Sequence, residues 1–234
     1  MKIHNQEKTK LVNTVFTKVY KNYDLMNDIM SLGIHRLWKK NLIDWLKPRK
    51  EGLLIDVASG TGDLAKLISK KCENKNKISC IEPNENMLKI GKNKLRQYKN
   101  IKWHLAKAEK LPFKDNIFDY YTISYGIRNV TDINVCLEEA HRVLKSGGRF
   151  MCLEFSKIEN EILNNIYKRY SKLIPIIGKF IVGDAMPYDY LVKSIDQFYN
   201  QHELKNLIEK NGFINVDFRN LSNGISAIHS GWKI

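Results

Sequence analysis

Apolar residues recur along this chain at two periods, and the switches between them set out its elements. From Leu11 to Leu46 the large apolar positions come three or four apart: Val15, Phe16, Val19 and Tyr20, then Leu37, Trp38, Leu42 and Trp45. That spacing marks one face of helical structure. Beyond Leu53, short apolar runs alternate with helical stretches. Strands are predicted at 53–57, 78–81, 101–105, 117–124 and 149–153, and helices at 63–71, 85–97 and 133–144. Such alternation predicts an α/β fold with a parallel, doubly wound sheet. Ser146-Gly-Gly148 reads as the turn that ends the third of these helices. A helical insert over 160–195, a helix at 203–211 and two strands near 213–219 and 225–229 follow, the last two as an antiparallel pair at the sheet edge. The reading is one domain over 1–234, with N-terminal helices (1–50), a core (51–156), a helical lid (157–200) and a closing helix and strands (201–234).

Composition narrows the class. A chain of 234 residues with 43% hydrophobic content suits one α/β unit with a full core. The longest apolar run, 173–182, is about half the length that spans a bilayer and is broken by Pro175, Gly178 and Lys179. The polar first ten residues contain Glu7 and show neither a secretory nor a transit pattern, so a cytoplasmic protein is expected. Cys72, Cys80, Cys136 and Cys152 form no C-x-x-C pair, which predicts reduced thiols and no metal. The net charge of +14 is compatible with nucleic acid, an anionic membrane or a solvated lysine-rich surface. Its lysines are dispersed and no RNA- or DNA-binding module is legible, so no nucleic-acid partner is expected.

The chemistry concentrates at Leu53-Leu-Ile-Asp-Val-Ala-Ser-Gly-Thr-Gly-Asp-Leu64, followed by Ile78-Ser-Cys-Ile-Glu82. A buried strand runs into a glycine turn (Gly60, Thr61, Gly62) that opens a helix, and a second strand ends in a carboxylate placed to grip a ribose. Two ligand classes use this geometry. The loop satisfies the loose dinucleotide pattern G-x-G-x-x-G/A, but Asp63 at the helix start and Asp56 at the strand end would repel a pyrophosphate. S-adenosylmethionine carries a sulfonium and an ammonium, which favour both carboxylates. Asp63 is equally well read as a residue that simply starts the helix.

Several further blocks, in order, resemble the UbiE/MenG quinone C-methyltransferases along nearly the whole chain. They are Tyr23-Asp-Leu-Met-Asn-Asp-Ile-Met-Ser31 with His35 and Trp38, Leu111-Pro-Phe113, Thr122-Ile-Ser-Tyr-Gly-Ile-Arg-Asn-Val-Thr-Asp132, Arg142-Val-Leu-Lys-Ser-Gly-Gly148, Leu153-Glu-Phe-Ser156, Tyr188-Asp-Tyr-Leu, Ser194-Ile195 and His229-Ser-Gly-Trp-Lys233. The resemblance implies a class I S-adenosylmethionine-dependent methyltransferase fold, with a seven-stranded sheet, one antiparallel edge strand and a helical lid. It implies methylation of a ring carbon of a polyprenylated quinol, toward menaquinol, a ubiquinone precursor or both. It places the donor on Asp56, Gly60, Thr61, Gly62, Glu82, Lys107, Ala108 and Ser124, with Glu82 on the ribose hydroxyls and Ala108 offering a backbone N–H to the adenine. Ser59 stands where Gly or Cys is usual, and Lys107 where Asn or Asp is common; an ammonium has no acceptor for the adenine amino group.

The substrate side is implied at Arg128, Asn129 and Tyr188. A quinol carbon becomes nucleophilic when a neighbouring hydroxyl loses its proton. Arg128, leaving the fourth strand at the carboxyl edge of the sheet, is the candidate to stabilise that anion, with water or Asp132 taking the proton. The bland reading is an Arg128–Asp132 structural pair. The insert over 167–195, with Lys168, Lys172 and Lys179, reads either as an apolar lid making peripheral membrane contact or as a plain helical cap. A quinone-biosynthesis complex and a homodimer remain open as partners. An RNA methyltransferase, a dinucleotide oxidoreductase and a silent scaffold are the competing functions.

Overall fold

The computed structural model describes residues 5–20 and 23–234; the side chains of residues 5, 6, 23, 24, 30, 168, 177, 181 and 182 lie outside the description. The helical N-terminal stretch is divided into α1 (Asn5–Val19), α2 (Tyr23–Ser31) and α3 (His35–Leu46). Leu32 and Gly33 turn the chain between α2 and α3 with positive φ (49° and 77°). Such backbone cannot continue a helix, which is why the single periodic stretch breaks there. Helix α3 buries Trp38, Leu42, Ile43 and Leu46; of the positions read from the sequence Trp38 and Leu42 are on this face, Trp45 is half-buried at its margin and Leu37 is exposed.

The core follows as β1 (Leu53–Val57), α4 (Asp63–Lys71), β2 (Lys77–Glu82), α5 (Glu85–Lys94), β3 (Ile101–Leu105), β4 (Phe118–Ser124), α6 (Ile133–Val143) and β5 (Leu144–Phe155). The chain ends with α7 (Glu161–Val182), α8 (Met186–Asp196), α9 (Gln201–Lys210), β6 (Ile214–Leu221) and β7 (Ser226–Trp232). Seven strands form one sheet in the order β3-β2-β1-β4-β5-β7-β6. Strand β7 alone runs antiparallel, against both β5 and β6. The antiparallel strand assigned to the edge therefore lies one place in from it, and β6 is the edge. Alternation along β1 sends Leu54 to one core layer and Ile55 and Val57 to the other. Helices α3, α4 and α8 cover the first layer, α6 and α9 the second.

Two of the other boundaries that differ from the sequence reading have a clear local cause. Ser146-Gly-Gly148 does not end α6: Leu144 already pairs with Phe118, and Arg149 next pairs with Tyr120, so the intervening residues form a bulge at the start of β5. Gly147 supplies the positive φ (77°) that the bulge needs. The insert splits at Gly183, a left-handed cap (φ 80°) that accepts no further helical turn. Its two helices cross closely because Gly178 has no side chain; a Cβ there would lie 2.2 Å from the Tyr188 ring.

Candidate active site

Strand order reverses beside β1, whose neighbours are β2 and β4, so their carboxyl ends open a crevice at the topological switch point. The loop after β1 is tied down locally. The Ser59 hydroxyl donates to the Asp56 carbonyl (2.7 Å), and the Ser59 amide donates to the Ile81 carbonyl (3.0 Å), which joins the turn to β2. Gly62 opens α4 with φ 84°, and a Cβ on it would sit 2.7 Å from Leu95 and 3.0 Å from the Trp103 ring. Hence the turn requires glycine there for conformation and for space.

Glu82, 5% exposed, accepts hydrogen bonds from the amides of Gly60 (2.8 Å) and Asn84 (2.9 Å). Burial pushes its carboxyl up to about 7. It lines a cleft with Gly60, Pro83, Met87, Lys107 and Ala108. Ala108 is buried while Lys107 is exposed at the rim. Across the cleft lies α1, which contributes Thr9, Val12, Asn13 and Phe16. The Lys8 ammonium donates to the Val130 carbonyl (2.6 Å), and Thr17 accepts from the Asn84 amide side chain (3.3 Å), so α1 is fastened to the loops it covers. Helical periodicity identified the apolar face of α1 but nothing in the sequence placed it over this cleft.

A smaller polar recess continues the cleft, lined by Lys39, Asp56, Thr61, Asp63 and Ser124. The Thr122 hydroxyl donates to one Asp56 oxygen (2.8 Å). The other Asp56 oxygen and the Ser124 hydroxyl are buried without a partner among the described residues. Burial raises the Asp56 carboxyl to about 7. Two orphaned acceptors in one recess fit a cationic donor group. Asp63 starts α4 and also lines the recess; although burial opposes it, Lys39 and Lys94 hold its carboxyl below the usual carboxylate range. Lys94 lies 2.7 Å from it and Lys39, itself 7% exposed, 3.5 Å. Lys39 was missed by sequence reasoning because it arrives from α3, outside the glycine-loop pattern.

A third, mainly apolar pocket is lined by Phe16, Met26, Arg128, Pro187, Tyr190 and Leu191, among others. Tyr125 borders all three spaces, and its backbone is left-handed (φ 57°). Such a φ is strained for a bulky residue and is held here by the close approach of two loops: a Cβ on Gly126 would lie 2.4 Å from Ala58. Arg128 is buried and makes an ion pair with Glu154 of β5. It also donates to Ser194 (3.3 Å) and the Tyr125 carbonyl (3.3 Å), and its guanidinium lies 5.4 Å from the Phe155 ring centre. Burial pushes Glu154 above the usual range against the pull of Arg128, and its second oxygen has no partner among the described residues.

The structure brings Asp56, Gly60, Thr61, Glu82, Lys107, Ala108 and Ser124 to one connected crevice, and Arg128 and Asn129 to its acceptor side, whereas Gly62 lies behind the turn against Leu95 and Trp103 and does not line it. The Arg128–Asp132 pair is not formed. Asp132 caps α6, accepting from the amides of Asn134 (2.9 Å) and Val135 (3.4 Å). An Asp directly before an apolar helical run is itself a capping signal that was legible in the sequence. Tyr188 is wholly buried against α7 and does not line the acceptor pocket; Tyr190 does, donating to the Asn129 side-chain oxygen (3.0 Å).

Comparison with known proteins accounts for this arrangement. A sequence model of the ubiE/COQ5 methyltransferase family matches residues 1–233. The ubiquinone/menaquinone biosynthesis C-methyltransferase UbiE of Rickettsia bellii is 49% identical, covering 100% of this chain and 96% of its own. The enzyme of the same name from Brucella abortus is 47% identical over 99% of this chain and 88% of its own. Among solved structures, a SAM-dependent methyltransferase of Thermotoga maritima superposes with a TM-score of 0.69 at 22% identity, covering 95% of this chain and 100% of that one. A phosphoethanolamine N-methyltransferase of Haemonchus contortus with bound S-adenosylhomocysteine gives 0.61 at 14% identity, covering 84% of this chain and 52% of that one. These two likenesses establish the methyltransferase fold, and the full-length matches at nearly half identity establish more: the chain belongs to the ubiE/COQ5 methyltransferase family.

Proposed function

We propose that this chain methylates a ring carbon of a polyprenylated quinol, with S-adenosylmethionine as donor. The observation that carries the reading is the junction at Tyr125, where a polar recess holding unpartnered carboxylate and hydroxyl groups adjoins an apolar pocket walled by Arg128, which Glu154 holds from behind. The residues fit the donor. Glu82 would take the ribose hydroxyls, Asp56 and Ser124 the ammonium, Lys39 and Thr61 the carboxylate, and the backbone at Ala108 the adenine. The bound donor supplies the methyl group.

The chain's own residues do the rest. Phe16, Met26 and Leu191 exclude water from the acceptor pocket, where a developing phenolate interacts more strongly with a fixed charge than it would in water. Arg128 provides that charge. Glu154, buried behind it, holds the guanidinium in one orientation, and Asp132, engaged as the cap of α6, leaves water to receive the hydroxyl proton. Tyr190 donates to the Asn129 side-chain oxygen while the Asn129 N–H2 group donates to the Tyr125 carbonyl (3.4 Å), so both ends of the amide are fixed at the wall of the pocket.

The test is incubation with isotopically labelled S-adenosylmethionine and short-chain demethylmenaquinol or methoxy-prenyl-benzoquinol, followed by mass spectrometry of the product. Carbon methylation is expected only with the reduced acceptor, because only the quinol has a hydroxyl to ionise. Equal turnover of the oxidised quinone would remove the phenolate argument. Binding of NAD in place of the methyl donor would remove the reading altogether.

A further inference from the structure

Helix α7 has two apolar faces, and the fold uses one. Ile174 and Gly178 are buried on the side that meets α8, and Tyr170 donates from its hydroxyl to the Ile29 carbonyl of α2. About a third of a turn away, Ile162, Ile166, Leu173, Ile176 and Phe180 follow at steps of four, seven, three and four residues and form a single stripe. All are exposed, from 52% at Leu173 to 87% at Phe180. A row of large apolar side chains this long is uncommon on a surface that faces only water. Exposed Arg169, Lys172 and Lys179 border or interrupt it.

The geometry points to α7 as a helix that lies in the surface of an anionic phospholipid bilayer, with its outer stripe among the acyl chains and Arg169, Lys172 and Lys179 at the headgroups. Three observations favour lipid over a second copy of the chain. The stripe is flanked by cations, which anionic headgroups neutralise and a like-charged copy of α7 would oppose. Arg169 sits within the stripe, where a long side chain can carry its charge up to a headgroup but would be buried unpaired against another helix. The same helix packs on α8 and α2, which line the acceptor pocket, so lipid contact brings that pocket next to the phase in which a polyprenyl chain dissolves. Among the described residues no helix is long and apolar enough to cross a membrane, so the contact is interfacial. The relevance to catalysis rests on the quinol reading above; the lipid contact itself does not.

The experiment is flotation of the full chain with phosphatidylcholine vesicles and with vesicles containing phosphatidylglycerol. Binding is expected to the anionic vesicles and to fall with salt. Each cation near the surface contributes roughly fivefold, so Arg169→Gln/Lys172→Gln/Lys179→Gln should weaken binding on the order of a hundredfold. Ile162→Ser/Leu173→Ser/Phe180→Ser should abolish it, and because these side chains are exposed the variant should melt as the parent does. Methyl transfer to a water-dispersed short-chain quinol should be unchanged in both variants, which separates failure of this inference from failure of the quinol reading. The inference is overturned if the parent chain does not float with anionic vesicles. It is equally overturned if sedimentation shows a dimer that the serine variant dissociates while vesicle binding is absent or unaffected.

Discussion

Replacing Arg128 by methionine and Glu154 by leucine, singly and together, separates folding from catalysis in the acceptor pocket. The pair is nearly sealed from solvent, with side-chain exposures of 5% and 1%. Removing one member leaves the other charge buried, which typically costs about 3–5 kcal/mol, whereas replacing both with packed apolar groups is often neutral. At this chain length each kcal/mol moves the melting temperature by about 2–4 °C, so each single variant should melt roughly 6–20 °C early. The double variant should recover most of that. The single variants should also differ in pH dependence. In Arg128→Met the lone Glu154 carboxyl has a folded pKa raised above its unfolded value, so the variant is most stable in acid and loses stability as pH rises through the folded value. In Glu154→Leu the stranded guanidinium does not titrate, and the loss should be flat with pH. Both Arg128→Met and the double variant should slow single-turnover methyl transfer by on the order of a hundredfold or more, while donor affinity stays within a few-fold. Denaturation, donor titration and rapid-quench transfer on the same samples make the comparison. A double variant that folds as well as the parent and transfers methyl at near-parental rate would show that Arg128 has no part in stabilising the phenolate.

Three other outcomes are expected. Because burial holds Asp56 near 7, the free protein keeps it protonated in mild acid, and its contribution to stability, complete below the unfolded carboxyl pKa of about 4, is lost as pH rises through 7; donor affinity, which needs the anion, should rise by up to about tenfold per unit between pH 5.5 and 7, and calorimetry on Asp56→Asn should show that slope gone. Tyr190→Phe removes the hydrogen bond to Asn129 and should raise the quinol KM about fivefold, for a bond worth about 1 kcal/mol, whereas Tyr188→Phe, which deletes a hydroxyl with no partner among the described residues, should leave KM unchanged; steady-state kinetics on both decides which tyrosine serves the pocket. Gly62→Ala combines a left-handed backbone with a contact at 2.7 Å, so it should destabilise the protein by about 1–3 kcal/mol and weaken donor binding, and wild-type melting with wild-type affinity would refute the account of the turn.

Local pattern alone determined much of this protein. The period-two strands, the glycine turn and the carboxylate ending β2 were readable because side-chain alternation, positive φ and the ribose-gripping position are each set within a few residues. Thus Gly60 and Glu82 line the crevice as the local pattern predicts, while Ser124, implied by the family resemblance, lines its polar recess and Arg128 its apolar pocket. What faces Arg128 was decided only in three dimensions. Pairing of β4 with β5 sets Ser124 against Leu153, so the next residue of β5 brings Glu154 to an arginine 26 positions earlier, while Asp132 turns instead to the amides of its own helix. The roles of Lys39, Tyr190 and α1 were hidden for the same reason. Periodicity tells which face of a helix is apolar but not which neighbour it meets, so the placement of α1 and α3 over the crevice, and the rotation of α8 that buries Tyr188 and presents Tyr190, follow from packing between elements distant in sequence.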